Sequence, residues 1–476
     1  MLNKKIISIN IALSIAVLLT QGCSSHQNQS PDELSEPAKL EVNAKKEFYS
    51  DRNISSKVQN NWLKTFNDEK LNELAHEALE KNPNLRVASF SVAEAVAQTK
   101  LANAALKPTV GYNGGVSDTS AGGSASSGGI GASWQPDVWG RVSAQVQSAR
   151  STQRAIEADY AFAKQSLVSD VCKSWFLLIE TTKQAELSTQ ILKEYKATLN
   201  IVQVKFEVGE VLRKDVAQAR ADVNSAKDSL VQAQNAIKNS SRALEVLLGR
   251  YPGADLVTNI NLPELPAFPS TGVPADLLQR RPDLIAKEER IRSAFFATKD
   301  AELARLPTFT LSVGGGINNV NNFVGLLAAG ISGPIYTGGA IEAQIEKANA
   351  TQKKTLADYE GTILNVFKDV ETSLSNEKVL QQRSEILSLA VKDYEIALKD
   401  TKVQYELGQI DLTLVQIQQR KLDGSRSTNL HVKSLLLQNR VNMYLALGGG
   451  FAYEDAAADV NAAIRDDKKQ EKKGKK

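Results

Sequence analysis

The sequence predicts an α+β fold of an elongated kind: two tandem repeats, each a long antiparallel helical hairpin that carries a pair of β-strands. Three observations predict it. Arg141 to Glu207 runs for 67 residues without one glycine or proline. The chain matches itself at an offset of 199 residues. Each half also holds two short segments in which apolar and small polar residues alternate, the period of a strand with two unlike faces.

The long stretch is mostly Ala, Gln, Glu, Lys, Leu and Ser, residues that favour or tolerate a helix. At ~1.5 Å per residue it reaches about 100 Å, more than a compact domain needs. Val208-Gly209 then precedes a second run without glycine or proline, Glu210 to Leu248. Glycine enters the left-handed conformation cheaply, so it is the expected stop for a long helix. A hairpin with its tip near Gly209 follows. At the offset, Pro83 and Leu85 meet Pro282 and Leu284, and Pro108-Thr109 meets Pro307-Thr308. Gly140 meets Gly339, Ala158-Asp159-Tyr160 meets Ala357-Asp358-Tyr359, and Phe206 to Gly209 meets Tyr405 to Gly408. Agreement over so long a period means two large structural units rather than a short-unit solenoid.

From the N-terminus, Lys4 and Lys5 precede an apolar run, Ile6 to Leu19, that ends in Leu18-Leu19-Thr20-Gln21-Gly22-Cys23. This reads as a signal peptide, 1–22, too short and interrupted for a membrane-spanning helix. A small residue before a cysteine resembles the bacterial lipobox, so Cys23 is the expected lipidation site. Thr20 stands where leucine is usual. Ser24, rather than aspartate, favours the outer membrane. Residues 23–60 form a polar tether. Repeat 1 is expected over 61–260, repeat 2 over 261–450, and a C-terminal segment with a basic tail over 451–476. The tail, Lys468 to Lys476, holds six lysines and Glu471, a charge of +5 against +3 for the whole chain, so the body is near neutral or slightly acidic. That disfavours a nucleic-acid partner. Cys172 is left inside the first long helix, where a small buried role fits it better than reactivity.

Within repeat 1, Leu71 to Leu106 reads as helix, interrupted near Asn82-Pro83. Strands are expected at about 108–118 and 127–137, with a Gly/Ser-rich loop from Asp118 to Gly129, and the helical hairpin over 141–249. Repeat 2 is clearer. Phe309, Leu311, Val313, Gly315 and Ile317 alternate with Thr310, Ser312, Gly314 and Gly316. Its strands are expected at about 307–317 and 323–336, its hairpin over 340–448. Strands of some ten residues with Tyr112, Trp134, Trp139, Phe309 and Tyr336 near their ends suit an outer-membrane barrel.

Lipid then forces a step. An open four-stranded sheet leaves edge backbone groups unpaired, at several kcal/mol each. Several chains must close the barrel. Two give eight strands, filled by side chains; three give twelve, with room for a bore. The fold class is therefore an α+β membrane protein: a trimeric 12-stranded transmembrane β-barrel, four strands per chain, continued by a long periplasmic α-helical barrel.

Several motifs support a family likeness: Ser133-Trp134-Gln135-Pro136-Asp137-Val138-Trp139-Gly140-Arg141, Leu277-Leu278-Gln279-Arg280-Arg281-Pro282-Asp283-Leu284, Gly333-Pro334-Ile335-Tyr336-Thr337-Gly338-Gly339 and the two hairpin tips. With them the chain resembles the TolC-like outer membrane efflux proteins, in particular the lipoprotein branch that includes OprM. The resemblance covers nearly the whole mature chain. It implies a homotrimer in outer membrane lipid that serves as the passive exit duct of a tripartite pump. The pump's other members would be a periplasmic adaptor protein and an inner-membrane transporter of the resistance-nodulation-division type. It also implies that the tips, Val208, Gly209, Glu210, Val211, Leu407, Gly408, Gln409 and Ile410, form the periplasmic mouth and meet the adaptor. Apolar side chains exposed at a pole fit a covering partner. Asp215 matches a family aspartate that narrows the mouth, and Tyr405 the family's gate tyrosine. In the second copy only Asp411 is acidic nearby, so the constriction there is expected to be apolar and amide-lined, through Leu414, Ile417, Gln416 and Gln418.

No catalytic constellation is present, and no cofactor is expected. The histidines, His26, His76 and His431, do not pair at metal-ligand spacing. Arg280-Arg281-Pro282-Asp283 sits where proline opens a helix, a structural role. Drugs, detergents and metal ions all remain open as cargo. Two other readings share the pattern: a duct for protein secretion, and a coiled-coil periplasmic spacer lipoprotein with no strands in lipid.

Overall fold

The computed structural model describes residues 62–119, 123–269, 274–318 and 323–449. Cys23, the leader, the tether, His26 and the lysine tail lie outside the described residues. A 3₁₀ turn, Trp62–Phe66, leads into α1 (Glu69–Lys81) and α2 (Pro83–Ala104). The hairpin β1 (Thr109–Thr119) and β2 (Gly123–Trp134) follows, then α3 (Arg141–Glu207) and α4 (Arg213–Leu247). A non-helical linker leads to α5 (Pro274–Arg280) and α6 (Pro282–Leu303). Then come β3 (Thr308–Asn318), β4 (Phe323–Ser332), α7 (Ala340–Glu406) and α8 (Leu412–Ala446). Both bounds of α2, α3 and α4 recur in α6, α7 and α8 at the offset of 199 residues.

Local chemistry sets these bounds. Asn82 divides α1 from α2: its side chain accepts from Asn84 and Leu85 N–H and donates to Leu247 O at 2.9 Å. Pro83, without an N–H, is tolerated at the first helical position. The Arg280–Asp283 motif is structural as well. Arg281 pairs with Asp283 at 2.6 Å and donates to Ala446 O at 3.1 Å, joining the start of α6 to the end of α8.

The four strands form one antiparallel sheet in the order β1-β2-β3-β4. Its register produces two unlike faces. Val110, Ala132, Val313 and Leu327 lie in one row, and Tyr112 and Ile130 in the next. On the opposite face, Thr109, Ser133, Ser312 and Ala328 form a row, beside Gly111, Gly131 and Gly314. The apolar face is uncovered within the chain: Tyr112 is 91% and Leu327 83% exposed. At the helical end Trp134 donates to Leu106 O at 3.0 Å and Trp139 to Pro307 O at 2.7 Å. Where β2 meets β3, a Cβ added at Gly316 would lie 2.6 Å from Gly128 O, so only glycine permits the approach.

Two strand expectations are corrected. The segment read as a loop from Asp118 to Gly129 is mostly ladder, with Thr119 paired to Gly123. Backbone pairing needs no side-chain pattern, and Gly, Ser and Ala supply none. The strands expected to reach 137 and 336 end at Trp134 and Ser332. Pro136 and Pro334 lack the N–H to extend the ladder.

Below the sheet, α2 packs on α3, α3 on α6, and α6 on α7. Lower down the rods pair as two hairpins, α3–α4 and α7–α8, joined along a seam between α3 and α8. At the waist Trp62 stacks on Tyr444 with centroids 5.2 Å apart, over Phe66 and Phe176. Cys172 is buried there, and burial pushes its thiol pKa up. Buried Arg440 pairs with Glu377 and donates to the linker carbonyls of Pro266 and Ala267. Among the described residues, no helix is long and apolar enough to cross a membrane.

Candidate functional site

The two hairpin tips lie side by side and share a small core of Val202, Val216, Leu398, Tyr405, Leu412 and Val415. Each tip closes in the same way. Gly209 N–H donates to Phe206 O and Glu210 N–H to Lys205 O, with φ +83° at Gly209. Gly408 N–H donates to Tyr405 O and Gln409 N–H to Gln404 O, with φ +75° at Gly408. These bonds satisfy carbonyls that the helix end would otherwise orphan. Space around both glycines is open, so the backbone conformation, not crowding, requires them.

The next helices open differently. Leu212 precedes α4 and has no side-chain acceptor; Asp215 reaches back and accepts from Leu212 N–H at 2.9 Å. Asp411 caps α8 directly, accepting from Thr413 N–H at 2.8 Å and Thr413 Oγ1 at 2.6 Å. The Thr413 hydrogen bonds hold the Asp411 carboxyl below its ordinary pKa, and the Lys214 charge from the other tip adds to them. Both aspartates thus serve as helix caps.

Lys205 bridges the tips. Its Nζ donates to Tyr405 O at 3.2 Å, lies 4.8 Å from the Tyr405 ring centroid and is 3.5 Å from Glu210. The Tyr405 ring is buried, and its hydroxyl finds no partner among the described residues. Burial raises the phenol pKa, with the charges of Asp215, Asp411 and Glu210 acting in the same sense. Val208, Leu407 and Leu414 project outward and are largely exposed; Val211, Ile410 and Ile417 are half-buried. Gln416 turns inward, donating to Asp222 at 2.7 Å, and so lines no open constriction within the chain. Lys205 and Lys214 were absent from the sequence reading. A lysine among the many of a long helix carries no local signal, and only the juxtaposed tips give these two a place.

His76 is exposed, and His431 Nδ1 lies 2.7 Å from Glu180 Oε1 on α3. Among the described residues, no three His, Cys, Asp or Glu side chains group to hold a metal ion.

Comparison with known proteins agrees with this architecture. The chain is 27% identical over 421 residues to the cation efflux system protein CusC of Escherichia coli O6:H1, covering 84% of this chain and 90% of that protein. It is 27% identical over 432 residues to the toluene efflux pump outer membrane protein TtgC of Pseudomonas putida, covering 86% and 88%. The solved Campylobacter jejuni CmeC outer membrane channel superposes with a TM-score of 0.81 at 21% identity, over 88% of this chain and 94% of that one. The family model for outer membrane efflux proteins matches twice, at residues 74–250 and 273–449, again offset by 199 residues. The chain belongs to the outer membrane efflux protein family.

Proposed function

We propose that the protein is the passive exit duct of a tripartite pump, working as a homotrimer. The sheet carries the reading: one face is apolar and uncovered, and β1 and β4 are free edges among the described residues. In lipid those edges demand partners. An antiparallel ladder closes when β4 of one copy meets β1 of the next, and three copies give the twelve strands of a barrel with a bore. The helices support the same closure. Near the sheet their row begins at α2 and ends at α7; lower down, below the reach of α2, it begins at α4. On α2, Val87, Phe90 and Leu101 are exposed; on the lower part of α7, level with α4, Ile386, Leu389, Ile396 and Val403 form an exposed stripe at heptad-like spacing. Each level offers the next copy an apolar seam.

In this reading Cys23 carries the lipid anchor. The exposed apolar residues of the tips receive a periplasmic adaptor, and an inner-membrane transporter of the resistance-nodulation-division type supplies the energy. Asp215, Tyr405, Asp411, Leu414 and Ile417 surround the gate, and the Tyr405 hydroxyl, buried and without a partner among the described residues, can gain one only when the tips rearrange. The cargo is small toxic solutes. The names of the relatives span cations and toluene, so they do not choose among solutes.

Purified protein in planar bilayers tests the proposal. We expect heat-modifiable migration as a trimer, and discrete conductance steps once the mouth is opened by substitution at the tips. A monomer that never conducts would overturn it.

A further inference from the structure

Between the apolar cores at the waist and at the tips, the seam between the two hairpins is polar. Along it Gln184 bonds Ser427 at 2.9 Å, His431 lies 2.7 Å from Glu180, and Gln419 Nε2 donates to Glu194 at 2.7 Å. Its densest point lies about 20 Å above the tip glycines, at ~1.5 Å of helix rise per residue. There Gln419 Nε2 also donates to Asp423 at 2.9 Å, so one neutral amide bridges carboxylates on α3 and α8. Tyr195 of α3 hydrogen-bonds Asp423, and Asp222 of α4 stands close by, held by Gln416.

We propose that Glu194, Tyr195, Asp222 and Asp423 form a proton-dependent clasp, which holds the hairpins together while Asp423 is protonated and loosens as it ionises. This rests on the duct reading for its use, a mouth that opens by parting these hairpins, but the clasp is a property of a single chain.

The charge balance carries the argument. The charged and titratable groups facing the cluster are Glu194 and Tyr195 on α3, Asp222 on α4, Glu395 on α7, and Arg420, Asp423 and Arg426 on α8. Four carboxylates thus meet two guanidiniums. Arg426 spends its Nε and Nη2 donors on Glu395, at 3.2 and 2.8 Å, and stays 3.6 Å from Glu194. Neutral amides satisfy the rest: the Gln419 hydrogen bond favours ionised Asp423, but an amide brings no positive charge to the site. Gln419 Oε1 and Arg426 Nη1 are both buried without a hydrogen-bond partner among the described residues, so the polar groups of the cluster are not fully matched in this arrangement. Burial, the largest influence, raises the Asp423 carboxyl above its ordinary value; the Gln419 bond opposes it and the Glu194 charge adds to it, and burial likewise raises the Tyr195 phenol.

The direction follows from linkage. A carboxyl whose pKa is raised in the closed arrangement favours that arrangement at low pH, and the preference is lost as pH rises through the raised value. Because the groups interact, the transition belongs to the cluster as a whole.

The test uses the full-length purified protein with spin labels at Lys196→Cys and Lys421→Cys, and pulsed electron resonance distances from about pH 5 to about pH 8. The wide-to-narrow ratio should rise by up to about tenfold per pH unit while one proton leaves. Asp423→Asn should keep the narrow distance at every pH. Glu194→Gln removes the facing charge and so should move the midpoint to lower pH, and a midpoint that moves to higher pH would overturn the clasp. A wild-type distance that ignores pH overturns the clasp, as does a midpoint unmoved by Glu194→Gln. A pH-dependent distance in a protein that never conducts would remove the duct and leave the clasp; conductance with a pH-independent distance would do the reverse.

Discussion

The waist and the mouth are built from the same duplicated helices, yet they are fastened differently. At the waist, aromatic rings stack, Arg440 and Glu377 pair in full burial, and the linker between repeats is bonded to Arg440. At the mouth the shared core is small, apolar side chains face outward, and the Tyr405 hydroxyl is buried without a partner among the described residues. The Arg440–Glu377 pair is buried charge against charge and tied to linker carbonyls, so parting it would strand an ion, whereas parting the tips exposes mainly a small apolar core. The waist is therefore the fixed collar, and the mouth the part suited to move.

The collar should respond most strongly to substitution. Arg440→Ala strands the Glu377 carboxylate and should cost about 3–5 kcal/mol, read from denaturant unfolding. Replacing both partners, with Arg440→Met and Glu377→Leu, should recover most of it. A negligible loss in the single variant would break the contrast with the mouth.

Glu245 gives a second, smaller test of the collar. Its carboxylate accepts from the N–H groups of Ala254, Asp255 and Leu256 at 2.8, 2.6 and 3.0 Å, fastening the linker to the end of α4. Burial works to raise its pKa; the bonds from Ala254, Leu256, Asp255 and Ser241 outweigh burial and hold it below the ordinary value. A lowered carboxyl pKa contributes stability above its unfolded value, lost as pH falls through the folded one. Glu245→Ala should cost about 1–3 kcal/mol at neutral pH. Glu245→Gln should flatten the acid limb of the stability curve below about pH 4.

At the mouth the effects should fall on partners more than on folding. A β-branched residue at Gly209 or Gly408 must hold a positive φ, a local strain of about 1–2 kcal/mol. Trimers should form normally, while crosslinking to the adaptor and export both fall, by roughly tenfold if the strain is expressed at the contact. Normal export from both variants would take the tips out of the proposal. Tyr405→Phe removes a buried hydroxyl that has no partner among the described residues, so the protein should become more stable, by about 1 kcal/mol in denaturant unfolding. Any increase in leak conductance would then report a bond that the hydroxyl makes only after the tips rearrange.

The repeats, the rods and the tip glycines were legible in the sequence because each rests on a local rule: helix-favouring composition without breakers, glycine where φ must be positive, alternation where a strand has two faces. The β1–β2 ladder was less so. Gly, Ser and Ala from 118 to 129 look like a loop until a partner strand supplies their hydrogen bonds. The site was legible in part. The tips were found by position, but Asp215 and Asp411 prove to be helix caps, and Lys205 carried no signal at all.

The sequence alone determined that two equivalent rods and four strands exist, since duplication and periodicity are properties of one chain read along its length. Only the tertiary structure decided which polar groups meet across the seam between hairpins. Residues such as Glu194 and Asp423, or Lys205 and Tyr405, are some 200 positions apart. Their encounter depends on the packing of whole helices, which no local pattern encodes.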